Sequence, residues 1–433
     1  MAGRFPAQPN CERSEVRGCV GFPSHHFNNS FFYAILHPVR LTYAATLRTC
    51  FTASMVQAII NTFITLLFVT FQQDYGVSLE WIAALISTNF MLQLLVDLVS
   101  ARFLDKVGYR VASVVAHILA AVGLIELAVL PELMPAKVGI AIAVITYAFG
   151  GGLLEVIVSP MAEACPTENK ERTMSFLHSF YCWGHMTMII VSTIFFVVFG
   201  IQHWKILAVI WSLVPLTNAF FLAKVPMAPL LPPDTATATI RELFSKKIFY
   251  LMLVYMVCAG AAELTVSQWS SALAEEGLGV SKTLGDLAGP LFFALLMGIS
   301  RVAFSRLGDK IPLHRFMIFS AILCLVCYLV IALAPSAAVA LIACGICGFS
   351  VGIFWPGTFS MASKTIRNGG TPMFALLALG GDLGCAVGPA VAGFVSGHAG
   401  GDLRQGILVG AIFPAIMLTA LLFYRQRKKR PKM

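Results

Sequence analysis

The sequence predicts an all-α membrane protein of twelve transmembrane helices in two pseudo-symmetric six-helix bundles, and three observations predict it. Of the 433 residues, 58% are hydrophobic and 12% charged, with a mean hydropathy of +0.82; one aqueous core cannot hide that much apolar surface. Apolar runs long enough to cross roughly 30 Å of hydrocarbon recur about twelve times. The chain also repeats itself, because Arg102-Phe103-Leu104-Asp105-Lys106 returns as Arg306-Leu307-Gly308-Asp309-Lys310. At the same offset Asp97 lies over Arg301, His178 over Asp382 and Gly184 over Gly388. Duplicated membrane halves are a common build of secondary transporters.

Residues 1–42 are polar, with Pro, Gly, His and Cys, and lack the charged-then-apolar-then-small order of a cleaved signal. They are expected to be a disordered cytoplasmic extension. The first bundle, 43–225, has apolar runs at 49–71, 81–100, 111–130, 138–162, 176–200 and 206–223. Residues 226–247, with Pro226, Pro229, Pro232, Pro233 and a Thr/Ala stretch, form the linker. The second bundle, 248–424, has runs at 248–269, 287–304, 316–334, 339–360, 373–395 and 407–424, and 425–433 is a basic tail.

Lys and Arg are retained on the cytoplasmic side during insertion. One set of alternating loops carries Arg102, Lys106, Arg110, Lys170, Arg172, Arg241, Lys246, Lys247, Arg306, Lys310, Arg315, Lys364, Arg367 and the tail. The other carries Lys137, Lys205, Lys282 and Arg404. Both termini are therefore expected in the cytoplasm, with the protein in the cell membrane. The net charge of +9 then places a basic tail against anionic lipid and argues against nucleic-acid binding.

The eleven cysteines lie mostly in apolar runs; Cys344-x-x-Cys347, inside one, reads as small-residue packing rather than redox chemistry. No zinc spacing or phosphate-cradling glycine loop appears. No helix pairs a nucleophile with a base. An enzyme, a metal site and a bound cofactor are not expected, and a coupling proton or Na⁺ is.

Function in such a chain is carried by polarity where lipid forbids it. Gln57, Asn61, Thr65, Phe68 and Gln72 form one stripe on the first span, and Asn89, Gln93 and Asp97 another on the second. His178, Tyr181 and His185 share a face of the fifth span, as do Gly260, Glu263, Ser267 and Ser270 of the seventh. Interhelical hydrogen bonding accounts for about half of such Ser, Thr, Asn and Gln positions. A carboxyl at mid-bilayer costs roughly 2.5 to 3.5 kcal/mol and is tolerated chiefly on a pathway or where it takes a proton. Glu155, after Gly150-Gly151-Gly152, is the foremost such group, followed by Glu263 and by Asp382 between Gly381 and Gly384. Asp97 and Arg301 are expected near the cytoplasmic ends, in gating or fold-stabilising pairs.

The eleventh span carries Gly384-x-x-x-Gly388-Pro389, permitting close contact and a kink. The tenth carries Gly348-x-x-x-Gly352-Ile353-Phe354-Trp355-Pro356-Gly357. Trp355, Trp183 and Trp269 are read either as aromatic faces for a sugar or as packing. The pathway candidates are thus Gln57, Asn61, Gln93, Glu155, His178, Tyr181, Glu263, Gln268, Trp269, Trp355 and Asp382.

Asp97 through Arg110 resembles the signature between the second and third helices of the major facilitator superfamily, Gly-x-Leu-Ala-Asp-Arg-x-Gly-Arg-Lys. Ala101 stands for its first Gly and Lys106 for the Arg after the Asp. The second copy is degraded at Ser305 and Pro312. The resemblance implies gating roles for Asp97, Arg102, Asp105, Arg110, Arg301, Arg306 and Asp309, alternating access and a single central site.

Asn61-Thr62, Phe71-Gln72-Gln73, Gly150 to Glu155 with Ser159-Pro160, and His178 to Gly184 are similar to the branch that contains the fucose/proton symporter and sodium-dependent glucose carriers. In that branch the glutamate matched by Glu155 binds proton and sugar. Its first-helix aspartate falls on Thr62, and its Asn-Pro reads Ser159-Pro160. The antiporter hallmark of the fifth helix is absent. The reading is a monomeric secondary transporter in the lipid bilayer that imports a small polar solute such as a sugar with a proton or Na⁺. The alternatives are an exporter of small amphipathic compounds and a transporter-like sensor or scaffold.

Overall fold

The computed structural model describes residues 42–231, 235–278, 282–399 and 402–429. The expected extension, apart from Thr42, and the last residues of the tail lie outside them. The molecule is all-helical, and eleven helices among the described residues are long and apolar enough to span a membrane. The remaining long helix, Leu79–Val107, has 29 residues and is long enough to span as well. In chain order the spans are as follows. Span 1 is Tyr43–Thr62 continued through a 3₁₀ turn, Phe63–Leu67, into Phe68–Tyr75; span 2 is Leu79–Val107, span 3 Tyr109–Leu133, span 4 Ala136–Ala164, span 5 Lys170–Phe199 and span 6 Trp204–Leu222. Span 7 is Lys247–Leu278, span 8 Lys282–Leu307 and span 9 Leu313–Leu333. Span 10 is broken into Ala337–Val351 and Phe354–Thr365, span 11 is Gly370–His398, and span 12 is Leu403–Gly410 with Ile412–Lys429.

The helices outrun the apolar stretches because their ends are capped. Ser78 accepts from the Trp81 amide at 3.3 Å to start span 2, and Asn169 from the Arg172 amide at 3.2 Å to start span 5. Spans 2 and 3 turn on Gly108, whose φ of 83° suits a residue without a Cβ. Branched and aromatic side chains such as Val197, Leu133 and Phe394 stand exposed on the outer surface, where lipid rather than water is their natural solvent.

The linker is more ordered than its composition suggests. Thr239 and Glu242 make a reciprocal cap on a short helix, Ile240–Ser245. The Thr46 hydroxyl bonds to the Pro226 carbonyl at 2.7 Å and the Ala238 amide to the Asn368 carbonyl at 2.8 Å, so the linker is tied to span 1 at its start and to the turn between spans 10 and 11 further on.

Spans 7 and 11 meet backbone to backbone. A Cβ on Gly384 would run into the Val257 carbonyl oxygen, and one on Gly260 into that of Gly381. The small-residue spacing of the eleventh span thus serves a helix–helix contact. Span 2 packs on span 11, and span 5 on span 8. These pairs join the first six spans to the last six around a central cavity.

Candidate transport site

The stripes converge. A cavity of about 850 Å³ is lined by Gln57, Asn61, Asn89, Gln93, Glu155, His178, Tyr181, Glu263, Gln268, Trp355 and Asp382, with Thr65, Phe68 and His185. Seven of the twelve spans contribute to that set. The side chain of Trp269 lies outside the described residues. Ile60 also lines the cavity, one residue off the expected stripe.

Its polar wall is a set of short networks. Gln57 Nε2 donates to Glu155 Oε2 at 3.1 Å, and Gln93 Nε2 to Asn61 Oδ1 at 3.1 Å. Thr62 Oγ1 lies 3.2 Å from His185 Nδ1, and Ser159 Oγ 3.1 Å from His178 Nε2. The aromatic wall is Trp355 and Phe359, whose ring centroids are 6.2 Å apart. A solute with several hydroxyls and one apolar face finds partners for both. Of the glycines before Glu155, Gly150 abuts the Ala116 carbonyl and Gly152 the Val96 side chain. They serve helix packing around the acid. Trp183 likewise packs on Gly298 of span 8.

Asp97 and Arg301, expected near the cytoplasmic ends of their helices, lie inside Leu79–Val107 and Lys282–Leu307, and both are buried. Arg301 is 3% exposed and lines the cavity. Its Nε donates to the Gly352 carbonyl and its Nη1 to the His178 carbonyl, both at 2.8 Å, while Nη2 stands 3.6 Å from Glu263 Oε2. A buried guanidinium needs many acceptors, and two backbone carbonyls supply what the end of a helix would have left to water. Asp97 is fully buried, and neither of its carboxyl oxygens meets a donor from the protein. Span 2 packs on span 11, where Asp382 is likewise buried with a carboxyl oxygen, Oδ2, that meets no donor, and the two acids interact.

At the end carrying the basic loops the two halves are latched. The Thr371 hydroxyl donates to Asp105, and the Tyr109 hydroxyl sits 2.5 Å from Thr371 Oγ1. Arg172 pairs with Asp309 and with the Ser305 carbonyl, and Asn169 Nδ2 donates to Asp309 at 2.8 Å. Lys364 binds Glu171, and Ser363 binds Glu163, each at 2.6 Å. Asp105 and Asp309 thus join the two halves. Arg102 and Arg306 are instead exposed. Arg110 stays within its own half, donating to the Ala223 and Val225 carbonyls at 2.6 and 2.9 Å, where it caps the end of span 6. Sequence reasoning missed Thr371, Glu171, Glu163 and Ser363 as latch partners. Arg172 and Lys364 were visible only as loop cations. Away from this end the cavity lining runs on to Leu85, Thr193, Gln268 and Pro290.

A family model described as Major Facilitator Superfamily matches residues 49–375. No curated protein matches the sequence. Among solved structures, FucP in its outward conformation, described elsewhere as the E. coli fucose:proton symporter, superposes with a TM-score of 0.76 at 17% identity, over 88% of this chain and 99% of that one. The proton:xylose symporter XylE gives 0.75 at 13% over 89% and 95%. The human organic anion transporter MFSD10 gives 0.70 at 15% over 89% and 100%.

Proposed function

This chain belongs to the major facilitator superfamily, and from that premise we propose that it imports a small polar solute, such as a sugar, by symport with protons. It is a multi-pass membrane protein and a secondary transporter of small molecules, not an enzyme. With the basic loops in the cytoplasm, the latched end faces inward and the cavity outward, the state in which an importer loads.

The observation that supports proton coupling is Glu155. It accepts from Gln57 across the polar wall and lines the same cavity as Asp382. A buried carboxyl that lines the solute space lets binding and protonation sense one another. The Gln/Asn/His lining and the Trp355–Phe359 wall support a polyhydroxylated solute. FucP is a fucose:proton symporter and XylE a proton:xylose symporter, and the shared fold supports the same use here.

Proteoliposome uptake tests the reading. Wild-type protein should accumulate solute under an imposed pH gradient, and Glu155→Gln should bind and exchange solute without accumulating it. Full proton-driven accumulation by Glu155→Gln would remove Glu155 from coupling. Accumulation driven by Na⁺ alone, or outward pumping, would overturn proton symport.

A further inference from the structure

Asp97 has no assigned partner that could keep a carboxylate dry and charged. It is fully buried on span 2, its two oxygens meet no protein donor, and the polar group it faces is another acid, Asp382 of span 11. A buried carboxylate with neither cation nor donor is costly. A pair of carboxyls sharing one proton is not, because one hydroxyl then donates to the other's oxygen.

The two acids sit on different moving bodies. Asp382 is held to span 7 by the backbone contacts at Gly381 and Gly384, so it travels with the last six spans. Asp97 and Glu155 travel with the first six. We propose that Asp97 and Asp382 form a second proton-binding site, distinct from Glu155, in which the shared proton is a latch between the halves. The proton is held only while the halves are docked at the basic end. Parting them there draws Asp382 away from Asp97 and frees the proton to that side.

The groups that face the pair are few. Glu155 of span 4 reaches Asp382, and Cys385 lies beside it on span 11. Glu263 of span 7 and Tyr181 of span 5 face Glu155, and Arg301 of span 8 is taken up by Glu263 and two carbonyls. No guanidinium or ammonium among the described residues replaces the proton between Asp97 and Asp382. Loss of that proton leaves two like charges across the interface, and their repulsion favours separation of the halves.

This inference rests on the transporter reading, but its test uses neither solute nor gradient, so the two can fail separately. Spin labels at Glu168 and Lys310, exposed residues on opposite halves at the basic end, report the inter-half distance in full-length protein in lipid nanodiscs, with reactive native cysteines replaced. In the otherwise unmodified protein the distance should lengthen as pH rises. Asp97→Asn and Asp382→Asn each place an amide donor against the remaining acid, so each should hold the short distance at every pH. Either variant folds or fails independently, and one folded variant suffices. An Asn variant that opens with the wild-type pH profile, or a wild-type distance indifferent to pH, would overturn the proposal.

Discussion

Thr371→Val removes one hydroxyl from the latch and leaves the shape of the side chain nearly unchanged. Thr371 is 1% exposed and stands between Tyr109 and Asp105, accepting from one and donating to the other. A hydrogen bond to a charged acceptor contributes about 1.5–3 kcal/mol. Asp105 is exposed, and water replaces part of what it loses, so about 1–2 kcal/mol is the appropriate figure. The bond exists only when the basic end is closed, so its loss falls on one state and shifts the closed-to-open ratio about 5- to 30-fold toward open. The inter-half distance between labels at Glu168 and Lys310 measures that ratio. A variant that melts at a lower temperature with its state ratio unchanged would show that Thr371 stabilises the fold in both states, and the gating argument would fail.

Two further predictions concern packing and access. Gly384→Ala drives a methyl into the Val257 carbonyl, which backbone contact cannot yield; it should lower stability by about 1–3 kcal/mol, read as a fall in melting temperature, and an unchanged melting temperature would mean spans 7 and 11 separate freely. Cysteines at Gln57, Asn61, Gln93, His178 and Tyr181 should react with water-soluble thiol reagents, while one at Val96, buried and packed against Gly152, should not. Equal labelling at Val96 would sink the assignment of the polar stripes to one aqueous cavity.

Most of the cavity was legible because a helix repeats every 3.6 residues, so Gln57 and Asn61, or His178 and Tyr181, must share a face wherever that face points. Membrane-depth acids such as Glu155, Glu263 and Asp382 were legible from their cost alone. What periodicity does not carry is pairing across the two halves. Asp97 faces a residue 285 positions away and Arg301 leans on carbonyls of His178 and Gly352, and nothing local in either helix points to those partners. The repeat itself misled at Arg102 and Arg306, since both copies keep the arginine while only the acids, Asp105 and Asp309, reach across. The break in span 1 at Phe63–Leu67 falls in a stretch with neither Gly nor Pro, the residues that usually announce one.

The latch at the basic end and the acid pair inside differ in how they meet dissolved ions. Arg172 and Asp309 are 36% and 57% exposed, and Lys364 62%, so mobile counter-ions reach them within a Debye length of about 8 Å at 0.15 M. Asp97 is sealed from the same ions. Ionic strength therefore weakens the outer fastening and leaves the inner one untouched. Preparations held in dilute buffer will over-represent the form closed at this end, and a conformational balance measured for this protein has meaning only with its salt concentration stated.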